Sequence, residues 1–184
     1  MSFSKLDRTR IVSEALVLLQ EEGLAQVSLR KLAGRLSVGV SSLYWHLADR
    51  DALYSEMAER IFRSCLEAIP PSDGWEDWLR GFGRTLWRAQ NEVRDARQLI
   101  VRAAMAEAVR AELRAEIVAR LGALGLAPAA ASAAQRSVQA LVTGWTTLTP
   151  HAPRGDGPEQ KSFDAALDVL ICGWRTKMGA ANAG

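Results

Sequence analysis

The sequence predicts an all-α chain. Strand-like alternation is absent, Ala, Leu, Arg and Glu dominate, and apolar residues recur three and four apart along most of the chain. The 184 residues suit one domain, or a small domain joined to a larger one. With 48% hydrophobic and 24% charged residues, the composition is that of a globular protein. No apolar run is long enough to cross a membrane. The opening "MSFSKLDRTR" lacks the apolar stretch of a signal peptide, so the expected location is the cytoplasm.

The first helix is expected from about Lys5 to Glu22. Ile11, Ala15, Leu18 and Leu19 fall at i, i+4, i+7 and i+8, which builds one apolar face, and Gly23 ends it. Ser28 reads as the N-cap of a second helix, in which Leu29, Leu32, Ala33 and Leu36 repeat over two turns. "SVG", Ser37 to Gly39, is a tight turn with Gly39 available for positive φ. Val40, Leu43 and Leu47 then make a short stripe, and Ala33 is small where the two helices would cross. Helix, tight turn, helix in so short a span is the helix-turn-helix, whose second helix enters the major groove of DNA. A fourth helix is expected from near Asp49 to about Ala68, with Leu53, Met57, Ile61 and Cys65 four apart.

"PPSDG", residues 70 to 74, breaks the chain and marks the domain boundary. The expected organisation is a helix-turn-helix domain over residues 1–48, a connecting helix over 49–68 and a helical regulatory and dimerisation domain over 75–184. Within the last, helices are expected from Trp75, over about 95–105, over 106–123, and over roughly 128–148 with Pro128 in its first turn. Residues 149–160, with three prolines and two glycines, read as a loop. A final helix over about Ser162 to Met178 carries the stripe Phe163, Leu167, Leu170, Ile171 and Trp174, and the tail after it is expected to fray.

Several chemistries find no support. His46 and His151 have no cysteine or histidine near them at metal-ligand spacing, so no metal site or cofactor is expected. Cys65 and Cys172, each in an apolar helical stretch, read as buried free thiols. No G-x-S-x-G elbow, P-loop or dinucleotide fingerprint occurs, and nothing places a base beside a nucleophile, so an enzyme is not expected. The net charge of +2 neither demands nor excludes nucleic acid. Residues 23–48, however, contain Arg30, Lys31 and Arg35 and no acid.

Three rings in a row, Tyr44, Trp45 and His46, need a reason. Successive helical side chains stand about 100° apart, so the three cannot all face one core. With Val40, Leu43 and Leu47 inward, Ser41, Ser42, Tyr44 and His46 lie outside the stripe. Small hydroxyls allow close approach to bases, and a phenol or guanidinium makes phosphate contacts that fix register. Trp45 reads equally well as packing between helices.

These residues also carry a resemblance. "DRTRIVSEALVLLQEEGLAQVSLRKLAGRLSVGVSSLYWHLADRDAL" resembles the N-terminal DNA-binding domain of the TetR (tetracycline repressor) family, and "YWH" is nearest the tetracycline repressor branch. "GWEDWLRGFGRTLW" and "FDAALDVLICG" are more faintly similar to the start and final helix of that branch's regulatory domain. The resemblance implies a homodimeric repressor that binds a double-stranded, palindromic operator and is released by a small-molecule effector. It implies DNA contacts by Ser28, Arg30, Val40, Ser41, Ser42, Tyr44, Trp45, His46 and Arg50. The alanine-rich helix and the last helix would each enter the dimer interface twice.

The departures from that branch concern the effector. The branch holds a magnesium-chelated drug with histidines in its regulatory half, where this chain has only His151. Phe82, Leu86 and Ile100 stand where polar ligands are expected, which points to a more apolar effector. Leu66, Trp78, Phe82, Leu86, Ile100, Met105 and Trp145 are the candidate pocket walls. The alternative is a DNA-binding protein with no effector, or one controlled by a partner protein.

Overall fold

A computed structural model describes residues 6–103, 105–149 and 157–181, and the described residues form nine α-helices, a short 3₁₀ turn and no strand. The helices are α1 (Arg8–Glu22), α2 (Leu29–Leu36), α3 (Val40–Tyr44), α4 (Arg50–Glu67), α5 (Trp75–Glu92), α6 (Ala96–Arg102), α7 (Glu107–Ala123), α8 (Pro128–Leu148) and α9 (Pro158–Ala181). The chain divides into two compact units. The first comprises residues 1–63 and 93–106, the second 64–92 and 107–184. No single described helix is long and apolar enough to cross a membrane.

In the first unit the apolar stripes meet in one core. Ile11, Ala15, Leu18 and Leu19 of α1 are buried with Leu29, Leu32, Ala33 and Leu36 of α2, and with Leu43, Leu47, Leu53 and Met57. Each fully buried leucine contributes on the order of 2 kcal/mol. Asp7 caps α1 by accepting from the Arg10 amide at 2.8 Å, and Ser28 caps α2 by accepting from the Lys31 amide at 3.3 Å. Asp49 caps α4 through the Ala52 amide at 2.8 Å.

The turn of the helix-turn-helix differs from expectation. Ser37, not Gly39, takes the left-handed conformation, with φ 55°, while Gly39 sits at an ordinary φ of −69°. The Val38 amide returns to the Ala33 carbonyl at 3.0 Å, so the left-handed residue is needed at the end of α2. Helix α3 is short. After Tyr44 the chain runs through a turn, with the His46 and Leu47 amides both donating to the Leu43 carbonyl at 2.9 Å.

Helix α1 ends at Gly23, which has φ +88°. The next residue, Leu24, donates its amide to Asp95 Oδ2 at 2.8 Å. Beside it, Arg94 donates to the Glu21 carbonyl at 2.6 Å, and its own amide donates to Gln20 Oε1 at 3.0 Å. The residues ahead of α6 thus satisfy backbone groups that the end of α1 leaves open.

In the second unit, α5 buries a broad face, Trp78, Leu79, Phe82, Gly83, Leu86 and Trp87, against α8 and α9. A methyl group on Gly83 would lie 2.8 Å from Leu167 Cδ2, so any larger residue there would displace that side chain at the crossing of α5 and α9. Arg80 pairs with Asp168 at 2.6 Å and Arg84 with Asp164 at 2.8 Å along the same crossing. Leu113, Ile117 and Leu121 of α7 pack on α8. Phe163 stacks on Trp87 at 5.6 Å between centroids and meets the edge of Trp145 at 5.9 Å.

Three expectations change in this unit. Helix α9 begins at Pro158, inside the expected loop, because proline at a first helical position gives up no needed donor. The helix also continues beyond Met178 to Ala181. Of the two thiols, Cys65 is buried but Cys172 is exposed. The rest of the expected 149–160 loop, including His151, lies outside the described residues apart from Thr149 and Gly157.

Candidate nucleic-acid interface

The first unit presents the candidate DNA-reading residues around α2, α3 and the start of α4. Leu43 and Leu47 are buried and anchor the segment, while Val40, Ser42 and His46 are half-buried and Ser41 is exposed. Tyr44 is 56% exposed and Trp45 is 88% exposed. Packing of Trp45 between helices is therefore excluded in this unit, and Trp45 projects further into solvent than either neighbouring ring. Such an indole leaves much apolar surface in water, which partner contact would recover.

The backbone behind the rings is fixed by Arg8. It donates to the His46 carbonyl at 2.8 Å and pairs with Glu56 of α4 at 3.1 Å. Burial, more than any neighbouring charge, pushes the Glu56 carboxyl above its ordinary range, and Arg8 pulls it back only in part.

The basic window proves less basic than it reads. Lys31 pairs with Glu22, and Arg35 bonds both Glu14 and Glu21, at 2.5 and 2.6 Å. All three acids lie on α1, Glu21 and Glu22 just before the window and Glu14 two turns earlier. Arg30 is exposed and has no partner among the described residues, and it lines a shallow depression with Ser28, Lys31, Gly34 and Arg35. Ser28 has its oxygen engaged as the α2 cap, with its hydroxyl hydrogen left to donate. Arg50 is exposed at the start of α4. Its Nε donates to the Tyr54 hydroxyl at 2.6 Å, and its guanidinium carbon lies 5.0 Å from the centre of that ring.

Residues 11–57 match the model of the bacterial regulatory proteins of the tetR family. The whole fold is similar to that of a single-substitution variant of TetR from Acinetobacter baumannii AYE in complex with minocycline. The TM-score is 0.74 at 28% identity, covering 94% of this chain and 98% of that one. Over residues 11–57 the chain is thus similar to the tetR-family regulatory proteins. It is also similar to BioQ with its double-stranded DNA operator, with a TM-score of 0.66 at 27% identity over 92% of this chain and 98% of that one. The tetracycline repressor protein class D of Escherichia coli is 32% identical over 94 residues, half of this chain and 43% of that protein. The matched stretch thus spans less than half the length of that curated TetR relative. The family match runs from α1 to the first half of α4, and every candidate DNA contact falls within it.

The candidate effector residues fall into two groups. Leu66, Trp78, Phe82 and Leu86 are buried and Trp145 is half-buried, all within the second unit. Ile100, 39% exposed, and Met105, half-buried, belong to the first unit. Sequence reasoning missed Trp87. It is 1% exposed, and its indole N–H has no hydrogen-bond partner among the described residues; nor has the side-chain oxygen of buried Gln135. The place of Trp87 beside Trp78, Phe82 and Leu86 on the α5 face was the available signal. Trp145, by contrast, donates its Nε1–H to Glu159 at 2.6 Å. Among the described residues no group of three or more His, Cys, Asp or Glu could hold a metal ion.

Proposed function

We propose that the chain is a sequence-specific DNA-binding transcriptional regulator, a homodimeric repressor of a palindromic operator that a small, largely apolar effector releases. The observation that carries this is the pairing of exposed Tyr44 and Trp45 with buried Leu43 and Leu47 on one short segment. The leucines commit the inner face to the core, and the rings remain for the groove. Ser41, Ser42 and His46 supply donors and acceptors to base edges, Val40 apolar contact, and Ser28, Arg30 and Arg50 contacts that set register.

Dimerisation is supported by the two helices that the resemblance assigns to the interface. Leu148 of α8 is 83% exposed and Val169 of α9 is 75% exposed, which leaves apolar surface on both in a single chain. The effector reading rests on the buried aromatic face of α5, with the Trp87 N–H as the group that would hold an acceptor on an otherwise apolar molecule. Effector binding shifts the operator affinity only if the molecule prefers the state in which the two heads miss their half-sites.

The test is selection of binding sites from random duplex DNA with the purified chain. The expected winner is a palindrome whose half-sites lie about one helical turn apart. Folded, dimeric protein that enriches nothing would refute a sequence-specific reader.

A further inference from the structure

Arg50 is not a free surface cation. Its Nε–H donates to the Tyr54 hydroxyl at 2.6 Å, one turn along α4, while the ring lies under the guanidinium. Tyr54 is 2% exposed, and its own hydroxyl hydrogen donates to the Leu24 carbonyl at 3.3 Å. The phenol oxygen is therefore polarised in one sense, with its proton directed to Leu24 and its lone pair to Arg50. The Leu24 peptide is held in turn from its other side, where its amide donates to Asp95. An unbroken chain of hydrogen bonds runs from Asp95 through Leu24 and Tyr54 to Arg50, all within the first unit. The terminal nitrogens of Arg50 have no partner among the described residues.

We infer that Tyr54 is a positioning residue for phosphate recognition, presenting the terminal nitrogens of Arg50 to the DNA backbone in a fixed direction. This rests on the reading of Arg50 as a phosphate contact. The physical reason is entropic. A long cation loses rotamer freedom when it seats on a phosphate, and one already held at Nε and over a ring loses less. Phosphate needs only the outer pair of nitrogens, so the Tyr54 bond and the phosphate bond do not compete.

The experiment compares the full-length wild type with Tyr54→Phe, Arg50→Ala and the double variant. It measures affinity for a random-sequence duplex and for the selected site, across a salt series. Arg50→Ala should flatten the salt dependence by about one phosphate per head. Tyr54→Phe keeps the ring and loses the hydroxyl. It should weaken binding roughly two- to tenfold per head, the size of one hydrogen bond. In the Arg50→Ala background, Tyr54→Phe should weaken DNA binding no further. An equal loss in both backgrounds would assign Tyr54 to the structure of the head and overturn the inference, as would wild-type affinity for Tyr54→Phe. Arg50→Ala with wild-type affinity and salt slope would instead remove the phosphate contact, and the positioning role with it. If Tyr54→Phe does not fold, hydrogen exchange of the Arg50 Nε–H in the unbound wild type decides. Protection is expected, and free exchange would overturn the role.

Discussion

Asp95 and Leu24 stand 71 residues apart in sequence and are joined by a 2.8 Å hydrogen bond from the Leu24 amide to the Asp95 carboxylate. The bond closes the end of α1 with a residue that follows α5 in the chain. Asp95 itself is left-handed, at φ 54°. Gly23 completes the arrangement, since a methyl group there would lie 2.8 Å from the same carboxylate oxygen, on a backbone already at φ +88°.

Gly23→Ala should therefore destabilise the protein by about 1–3 kcal/mol, from positive φ and from crowding of Asp95. Asp95→Ala should cost about 1–3 kcal/mol by leaving the Leu24 amide unpaired. Because both act on one carboxylate, the double variant should lose less than the sum. Urea unfolding of the three variants checks this; strict additivity would mean that the two residues do not meet.

Trp45→Ala and Tyr44→Ala should leave stability within about 0.5 kcal/mol, as substitutions on the exposed surface do. Both should lose operator binding. Leu43→Ala, one residue away and 0% exposed, should cost about 2–5 kcal/mol of stability. Thermal melts beside gel-shift titrations separate the two outcomes. A Trp45→Ala protein that binds normally would remove that ring from the interface.

Stability should carry a signature of Glu56 in its pH dependence. Burial raises its carboxyl above the ordinary value of 4.5 in the folded protein. The folded state then holds this proton more tightly than the unfolded one. Its contribution is complete below the ordinary value and is lost as pH rises through the raised one. Relative to wild type, Glu56→Gln should gain stability as pH rises across that interval. A constant difference between the two proteins from about pH 4 to 7 would contradict the shift.

The two thiols should behave differently. Burial pushes the Cys65 thiol up to about 12, so it should stay silent toward disulfide reagents in the native protein. Cys172 is exposed in the single chain and should react. If α9 forms the dimer interface, labelling of Cys172 should slow as protein concentration rises. Two thiols reacting at one rate in native protein would place Cys65 elsewhere than in the core.

Much of the head was legible because its signals are local. The Ser28 cap and the Leu29, Leu32, Ala33 and Leu36 stripe are read within two turns, and both occur as expected. The turn was read wrongly because Gly39 is the residue best suited to positive φ, whereas the hydrogen bonds that end α2 put that demand on Ser37. The charge of the head was misjudged for a geometric reason. A window opened at residue 23 begins just after Glu21 and Glu22, which fold back onto Arg35 and Lys31. The clasp of Arg94 and Asp95 on α1 had no signal at all, since only the folded chain brings those segments together. In the second unit the α9 stripe was visible, but Leu170 and Trp174 are only half-buried beside fully buried Phe163, Leu167 and Ile171.

The acids of α1 that occupy Lys31 and Arg35 have a consequence for how such a reader finds its target. Sliding and hopping along wrong sequence are driven by cations without partners, and here two of the three in the window already have them. If the head reads DNA as proposed, its grip on arbitrary sequence should be correspondingly light and its dwell at incorrect sites short. On the proposed reading, discrimination would then fall to the rings and hydroxyls of α3 and the turn after it, engaging only where the bases suit them.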